Sequence, residues 1–327
     1  MNSPDNSKIR QTAKIIEGLD KYEAIVKNAY TSHELLAKKF KPIKWIEPGI
    51  LPEGLSILAG RPKIGKGWLG LSIAVSVSKG SPALGVIAVE VRRVAFLALE
   101  DGERRLQSRL MTMDKEGSAN LKFINVWERG PAGLAHLKQW IVDEEHDLVV
   151  VDTLARILGK RKDSRYSYQD DYDQITELKQ ISDKAGVALL LVTHTRKANA
   201  DDFLDAVTGT TGVTAPADIV LVLKRKRKSP EATLDIAGRD VDERTLELHQ
   251  DATTGWALVG EAEEDADQSN ERQEVLDVLR KSDKPLSPQE ISEVVNKKSA
   301  AVQYLLGKLT EEGVVRKEGY GEYAYIP

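Results

Sequence analysis

The residues from Gly60 to Gly67, GRPKIGKG, have the composition and spacing of a loop that holds phosphate groups. Glycines let the backbone turn so tightly that successive N–H groups point inward at phosphate oxygens. The helix expected to follow adds its N-terminal dipole, and Lys66 is placed to reach the β- and γ-phosphates. We therefore predict that ATP binds here. The residues expected to contact it are Gly60, Arg61, Pro62, Lys63, Ile64, Gly65, Lys66, Gly67 and Trp68.

Gly67 departs from the usual pattern of such loops, G-x-x-x-x-G-K-[S/T], at the position whose hydroxyl binds Mg²⁺. Because glycine has no hydroxyl, nucleotide can still bind through the backbone amides and Lys66, but the placement of the metal and the rate of hydrolysis are in question. Two outcomes stay open. A water replaces the hydroxyl in a slower enzyme, or the site binds nucleotide without turnover.

Three further polar residues close apolar segments that are predicted to be strands. Glu100 closes VAFLALE, where a carboxylate could polarise a water for attack on the γ-phosphate, a role that Asp101 could share. Asp152 closes DLVVVD, as an acid that orders Mg²⁺ through water does in a Walker B segment. His194 closes VALLLVTH and could sense the γ-phosphate. The alternatives are a surface acid, a helix cap and a histidine without a role, respectively.

These residues need a scaffold that brings segment ends together. Helices are predicted at 66–78, 102–116, 132–145 and 170–185, and they separate short apolar runs: LSILAG, VAFLALE, LKFINV, DLVVVDT, VALLLVTH and DIVLVLKRK. This alternation predicts an α/β fold with a mostly parallel sheet and helices on both faces. Since the carboxyl ends of such strands line one crevice, we expect Gly60, Glu100, Asp152 and His194 to converge there.

The remaining segments predict the domain organisation. Residues 1–44 are polar and helix-prone, and 45–260 form the core, in which 231–259 alternate polar and apolar residues and predict an antiparallel extension of the sheet edge. The acidic stretch 261–269 is predicted to be a linker. Residues 270–327 predict three helices followed by two short strands around a glycine turn, which describes a small winged-helix domain.

The composition excludes several classes of site. The chain has 327 residues and a net charge of −4, so nucleic-acid contact must come from local basic patches. The absence of cysteine excludes disulfides, thiolate zinc sites and cysteine nucleophiles, and the five scattered histidines argue against a histidine metal site. No apolar signal core opens the chain, and its apolar runs fall short of the ~20 residues of a membrane helix. A cytoplasmic protein without membrane association is expected.

Taken together, the motifs within 45–260 resemble those of the RepA-like replicative helicases, a branch of the RecA-type hexameric P-loop (AAA) ATPases. The motifs are LPEGLSILAGRPKIGKGWLGLSIA, FLALEDGERRLQSRL, LVVVDTLARIL, LLLVTHTRK, GTTGVTAPADIVLVLKRKR and GRDVDE. The resemblance implies a RecA-like core and a homo-oligomeric, hexameric ring with ATP and Mg²⁺ at each interface and single-stranded DNA in the channel. It matches Glu100 to the catalytic glutamate, Asp152 to the Walker B acid, His194 to a motif histidine and Arg109 to an arginine near the nucleotide.

The resemblance also implies an arginine finger that one subunit donates to its neighbour's ATP. Arg225 and Arg227, directly after DIVLVL, are the candidates, because a guanidinium there would neutralise transition-state charge. Such a finger requires head-to-tail contacts, as a closed ring does. The alternative is a basic strand end in solvent.

Two loops after the predicted catalytic strands are candidates for contact with DNA. The first, GKRKDSRYSYQDDYD, places Lys160, Arg161, Lys162 and Arg165 beside tyrosines, which suits backbone contact together with base stacking. The second, KANADDFLDAVTGTTGVTAPAD, is rich in small residues. In RecA-type rings such loops face the channel, whereas the alternative for each is a solvated loop.

The winged helix is a further candidate, since it could place SAAVQYLLGKL in a major groove with Lys297 and Lys298 alongside. Its charge does not favour DNA, because residues 270–327 carry nine Lys and Arg against ten Asp and Glu. Docking of a protein therefore stays open as the alternative.

The sequence thus predicts an ATP-dependent DNA helicase or translocase that acts in replication as a ring. One alternative is a weakly or non-hydrolysing nucleotide-binding scaffold or loader that recruits replication proteins, and Gly67 is its main support. The other is a transcription regulator built around the winged helix.

Overall fold

The structure is a computed structural model. The residues that it describes are 22, 26–159, 167–195, 211–226, 228–251, 255–262, 266–282, 284–297, 299–311, 313–319 and 321–326. The chain divides into two compact units, Met1–Ile43 and Lys44–Pro327. In the first unit, helix α1 (Ser32–Ala37) begins at a capping box, in which the Thr31 hydroxyl accepts the N–H of Glu34 and the Glu34 carboxylate accepts the N–H of Thr31.

The second unit contains a nine-stranded sheet that follows a short hairpin of β1 (Trp45–Glu47) and β2 (Leu51–Pro52). Its parallel strands are β3 (Gly54–Ala59), β4 (Val94–Ala98), β5 (Leu121–Ile124), β6 (Leu148–Asp152), β7 (Ala188–Val192) and β8 (Ile219–Arg225). Three antiparallel strands extend it: β9 (Glu231–Gly238), β10 (Arg244–His249) and β11 (Ala257–Glu261). The order is β11-β10-β9-β8-β3-β7-β6-β4-β5, which confirms the mostly parallel α/β sheet and its antiparallel extension.

The helices of this unit are α2 (Lys66–Lys79), α3 (Glu103–Met113), α4 (Pro131–Glu144), α5 (Ser167–Ala185) and the short α6 (Thr211–Thr214). A 3₁₀ turn, Leu154–Arg156, follows β6. The predicted helix 102–116 is three residues shorter at its end, because the backbone of Asp114 leaves the helical conformation and its carboxylate accepts a hydrogen bond from Lys79. The helix predicted at 170–185 begins three residues earlier, at Ser167.

Alternation along the parallel strands divides the core into two clusters, one on each face of the sheet. In β6, Val150 belongs to the cluster that contains the apolar residues of α2, while Val149 and Val151 belong to the cluster that contains those of α4 and α5. Burial on both faces explains why these strands read as continuous apolar runs rather than as alternating ones. The sheet thereby holds the carboxyl ends of β3, β4, β6 and β7 at fixed spacing.

The C-terminal residues form α7 (Ala266–Lys281), α8 (Pro288–Val295), α9 (Ser299–Glu311), β12 (Val315–Glu318) and β13 (Glu322–Tyr325), with an apolar core of their own. These elements are the predicted winged helix. The predicted linker 261–269 is wrong in its bounds, since β11 includes Glu261 and α7 begins at Ala266. Acidic residues suit the first turn of a helix, so acidity alone does not mark a linker.

Among the described residues, every helix is either too short or too polar to span a bilayer.

Candidate functional site

The predicted site residues meet at one edge of the sheet, where backbone hydrogen bonds continue the strand pairing. The N–H of Leu99 donates to the carbonyl of Asp152 over 2.8 Å, and the N–H of Thr195 donates to the carbonyl of Gly60 over 3.1 Å. Glu100 directly follows Leu99, and His194 directly precedes Thr195, so each of these two predicted residues is next to one of the hydrogen bonds. β4 itself ends at Ala98, so the glutamate lies two residues beyond the strand rather than at its last position.

The glycine loop joins β3 to α2, and that helix begins without a side-chain cap. Gly65 is the N-cap residue, with φ of +108°, and it makes no side-chain capping bond. A backbone in this region favours glycine, and free N–H groups at a helix N-terminus form an anion site. The loop therefore has the geometry that phosphate binding requires.

Lys66 is buried and is held by the loop itself. Its ammonium donates to the carbonyls of Gly60 and Arg61 over 2.8 and 2.9 Å and to Nδ1 of His194 over 3.0 Å. Burial lowers the pKa of Lys66 from 10.5 to about 8, although the carboxylates of Asp152 and Glu100 act in the opposite direction. Phosphate oxygens would replace these neutral partners with charged ones, so the ammonium gains by turning to a nucleotide.

His194 connects Lys66 to Glu100. An ammonium has no lone pair, so Nδ1 of His194 must accept from Lys66 and the ring proton lies on Nε2. That Nε2 atom is 4.0 Å from Oε2 of Glu100. Burial and then the charge of Lys66 lower the pKa of the His194 imidazole, which favours its neutral form. The Glu100 side chain is 41% exposed, so the carboxylate can reach a water in the crevice.

Asp152 ends β6 as a partly buried carboxylate. Burial, followed by repulsion from Glu100 and Asp101, raises its pKa from 3.8 to about 6, while Arg109 and Lys66 lower it. The 3₁₀ turn after the strand begins without a side-chain capping bond, so the alternative of Asp152 as a helix cap is wrong. Because Glu100 and Asp101 lie near it, the Asp152 carboxylate is a favourable position for a bound cation.

Arg109 supplies positive charge near Asp152 and is held by two neighbours. Its guanidinium forms a short ion pair with Asp101 and lies over the Trp68 ring, 5.4 Å from the ring centroid. Asp101 also binds Arg105 over 2.9 Å. The Asp101 carboxylate is thus committed to two guanidinium groups, which makes it a poor candidate to share the role of Glu100.

Two residues, one at the end of β8 and one just before β11, stabilise the loop, and sequence reasoning missed the second of them. The fully buried Trp256 donates from Nε1 to the carbonyl of Gly65 over 3.2 Å. Arg225 lies over the Trp256 ring at 5.5 Å and donates to the carbonyl of Ile64 over 3.4 Å. Arg225, expected to reach a neighbouring subunit, therefore lies against the loop of its own chain.

A cavity of about 370 Å³ opens on the outer side of the loop, between it and the turn after β8. Five cations and two apolar residues line it: Arg61, Pro62, Lys63, Ile64, Arg225, Lys226 and Lys228. The positive charge around this cavity favours the approach of a polyanion to the loop.

Six further predicted residues lie outside the described part of the chain: Lys160, Arg161, Lys162, Arg165, Arg227 and Lys298. Lys297 follows α8 and forms an ion pair with Glu274 over 3.2 Å, with its side chain 24% exposed. An ion-paired lysine offers less charge to DNA than a free one, so the structure adds no support to a DNA-binding role for Lys297.

Mg²⁺, which loops of this kind bind together with nucleotide, fits the residues that are present. Mg²⁺ prefers carboxylate oxygens, a few waters and phosphate oxygens to a full protein cage. In the described part of the chain, no group of three histidine or acidic residues is arranged to hold a metal by itself. Asp152 would hold the ion together with phosphate oxygens, and the ion would supply charge neutralisation.

Comparisons with known proteins agree with this arrangement. A family model described as an AAA domain matches residues 25–200, and a model described as the ribonuclease R winged-helix domain matches residues 273–326. Among curated proteins, none matches the chain.

Two solved structures are similar to this chain at 16% identity. A KaiC-like protein from the hyperthermophilic archaeon Pyrococcus horikoshii OT3 aligns over 66% of this chain and 99% of its own, with a TM-score of 0.45. The RadB recombinase aligns over 64% of this chain and 92% of its own, with a TM-score of 0.46. Because the AAA domain model matches more than half of the residues, and because the phosphate loop and its carboxylates lie at one edge of a mostly parallel sheet, this chain belongs to the AAA domain family.

Proposed function

We infer that this chain binds ATP with Mg²⁺ at the edge formed by β3, β4, β6 and β7 and hydrolyses it. The observation that carries this proposal is that Lys66, Glu100, Asp152 and His194, each at or shortly after the end of a different parallel strand, converge on one glycine loop. Family membership supports nucleotide binding, and the presence of a reachable carboxylate supports turnover.

Each side chain has a distinct part in the proposed reaction. The N–H groups at the start of α2 bind phosphate oxygens, and Lys66 moves from its carbonyl partners to the β- and γ-phosphates. Glu100 accepts a proton from the attacking water, while the neutral His194 beside it contacts Lys66. Arg109 adds positive charge from the Trp68 side of the loop. Bound Mg²⁺ would neutralise charge on the phosphate oxygens.

We further propose that hydrolysis drives a DNA helicase or translocase of the RepA type, acting in replication as a homo-oligomeric ring. The motif resemblance supports this, as do the basic residues at 160–165, which precede the helix that leads from the Walker B strand to β7. Since Arg225 lies on its own loop, Arg227 is the better candidate for a finger given to a neighbouring subunit.

Turnover of ATP with and without a single-stranded DNA oligonucleotide tests both levels of this proposal. Lys66→Ala serves as the blank, because it removes the phosphate-binding ammonium. Glu100→Gln keeps the size of the side chain, and we expect it to retain ATP binding while turnover falls by at least about 100-fold. Turnover in Glu100→Gln equal to that of the parent would remove Glu100 from the mechanism. ATP turnover that does not change when DNA is added would support an ATPase and contradict the proposed helicase or translocase.

A second candidate is a nucleotide-binding scaffold or loader that recruits replication proteins with little or no hydrolysis. Gly67 is the observation that favours it, because the loop lacks the hydroxyl that helps to hold Mg²⁺. Nucleotide binding without turnover above the Lys66→Ala blank, in the presence and absence of DNA, would select this candidate.

A further inference from the structure

Gly67 does more than remove a hydroxyl, because its lack of a side chain makes room for another residue. A Cβ atom built on Gly67 would lie 2.5 Å from Oδ2 and 3.6 Å from Cγ of Asp152. Such a contact is shorter than real Cβ atoms make with other heavy atoms. The carboxylate of Asp152 therefore occupies the space in which a serine or threonine side chain begins in the standard loop.

The backbone of Asp152 is held in the sheet, so only its side chain can yield to a Cβ atom at position 67. The residue ends β6 and pairs on either side with Ala98 of β4 and Val192 of β7. Nη1 of Arg109 lies 3.6 Å from the same Cβ position, in ordinary van der Waals contact. A side chain at position 67 would thus displace the carboxylate from the loop.

The chemistry of the position suits a metal ligand. Loops of this type hold Mg²⁺ through the P-loop hydroxyl and the Walker B acid together, and here the hydroxyl is missing. A carboxylate oxygen is at least as good a ligand for Mg²⁺ as a hydroxyl, since this ion prefers hard, charged oxygen donors. Asp152 already lies where the missing ligand would be.

We propose that Asp152 takes over the metal-holding role of both positions, binding the Mg²⁺ of a bound nucleotide from the space beside residue 67, and that Gly67 is the residue that admits it. This inference rests on the proposed binding of nucleotide. It has a consequence that the motif alone would not suggest, because restoring the usual residue at position 67 then weakens metal binding.

Two substitutions at position 67 separate this inference from the standard arrangement. Gly67→Ser adds a Cβ and the usual hydroxyl, whereas Gly67→Ala adds the same Cβ without the hydroxyl. Mn²⁺ is the probe for Mg²⁺, and its affinity for the protein–ADP complex is measured by electron paramagnetic resonance. Binding of a fluorescent ADP analogue in EDTA measures nucleotide affinity without metal. Gly260→Ser, at a glycine with open space around it, is the control for substitution itself.

We expect both Gly67 variants and Asp152→Asn to lose Mn²⁺ affinity to a similar extent, by about 10- to 100-fold, while metal-free binding of ADP does not weaken. Asp152→Asn keeps the shape of the side chain and tests the carboxylate even if the Gly67 variants fail to fold. Mn²⁺ affinity that rises in Gly67→Ser but not in Gly67→Ala would overturn the inference, as would unchanged affinity in Asp152→Asn. In both cases nucleotide binding would stand. Absence of ADP binding in the parent, with or without metal, would overturn the proposed function and this inference with it.

Discussion

Trp256 offers a sharp test of how the phosphate loop keeps its shape. The Trp256→Phe substitution removes the indole N–H that donates to the Gly65 carbonyl while keeping an aromatic ring beneath the loop. Gly65 has positive φ, and a Cβ on it would lie 2.7 Å from Cζ2 of Trp256, so ring and loop are in close contact. The substitution therefore loosens the loop at the residue that precedes Lys66 without touching any group that contacts nucleotide.

The size of the effect follows from the lost bond. A net hydrogen bond contributes about 0.5–1.5 kcal/mol, and the Gly65 carbonyl still accepts the N–H of Leu69 over 2.9 Å, so the free energy of unfolding should fall by about 1 kcal/mol. If the loop loses its fixed backbone at one residue, nucleotide must restore that order on binding, which costs about 1–2 kcal/mol. We therefore expect the affinity for an ATP analogue to fall by about 5- to 30-fold.

Trp127 provides a matched control in the same chain. Its Nε1 donates to the carbonyl of Gly133 over 3.0 Å, at the start of α4 and on the other side of the sheet from α2. Trp127→Phe should lower stability in urea to a similar degree and leave the affinity for a fluorescent ATP analogue unchanged. Equal affinities in Trp256→Phe and the parent, at a reduced stability, would refute the idea that Trp256 sets the shape of the loop.

Three further predictions follow from charge and burial. Binding of nucleotide at pH 8–9 should take up protons, because the pKa of Lys66 is about 8 without a ligand and phosphates favour the charged ammonium. Calorimetry in two buffers of different ionisation enthalpy measures this proton uptake. The Lys66→Arg substitution should abolish it. The buried Glu47, whose carboxylate has no hydrogen-bond partner among the described residues, has a pKa raised by burial from 4.5 to about 8, so the folded state holds a proton that the unfolded state loses in this range. The free energy of unfolding should accordingly fall as the pH rises from 4.5 to 8, and Glu47→Gln should flatten that dependence in urea titrations. Arg225→Ala should weaken nucleotide binding within its own subunit, so mixing it with Lys66→Ala subunits should restore no turnover, whereas recovery in the mixture would assign Arg225 to a neighbour's site.

The strand ends and the loop could be predicted from the sequence because their signals are local. The glycine spacing before Lys66 and the apolar runs before Glu100 and Asp152 each lie within about ten residues, and a parallel sheet then brings the strand ends to one edge. Boundaries were less accurate, as at Ala266, because acidic residues suit both a linker and the first turn of a helix.

The braces of the loop could not be predicted, because they depend on contacts between distant parts of the chain. Trp256 is 191 residues from the carbonyl that it binds, and in the sequence it follows a glycine in a segment that indicated only an edge strand. Arg225 stood out as a basic residue after β8, but the direction of its side chain depends on where Trp256 packs. The close approach of Asp152 to Gly67 could not be predicted either, because the two residues are far apart in the sequence and each one alone indicated a separate role.

The charges at the sheet edge bear on whether this chain is an enzyme or a scaffold. Glu100, Asp101 and Asp152 surround the loop, while Lys66 and Arg109 are the cations whose charges act on Asp152. A triphosphate without metal would face these carboxylates, and two like charges about 4 Å apart cost on the order of 4 kcal/mol at an effective dielectric constant near 20. Such acids oppose tight binding by a scaffold that holds nucleotide alone, but the charge of a divalent ion reverses their effect. The electrostatics therefore favour a site that binds nucleotide together with Mg²⁺. In such a site the metal offsets the repulsion between Glu100 and the phosphates, and the half-exposed Glu100 carboxylate is free to activate a water.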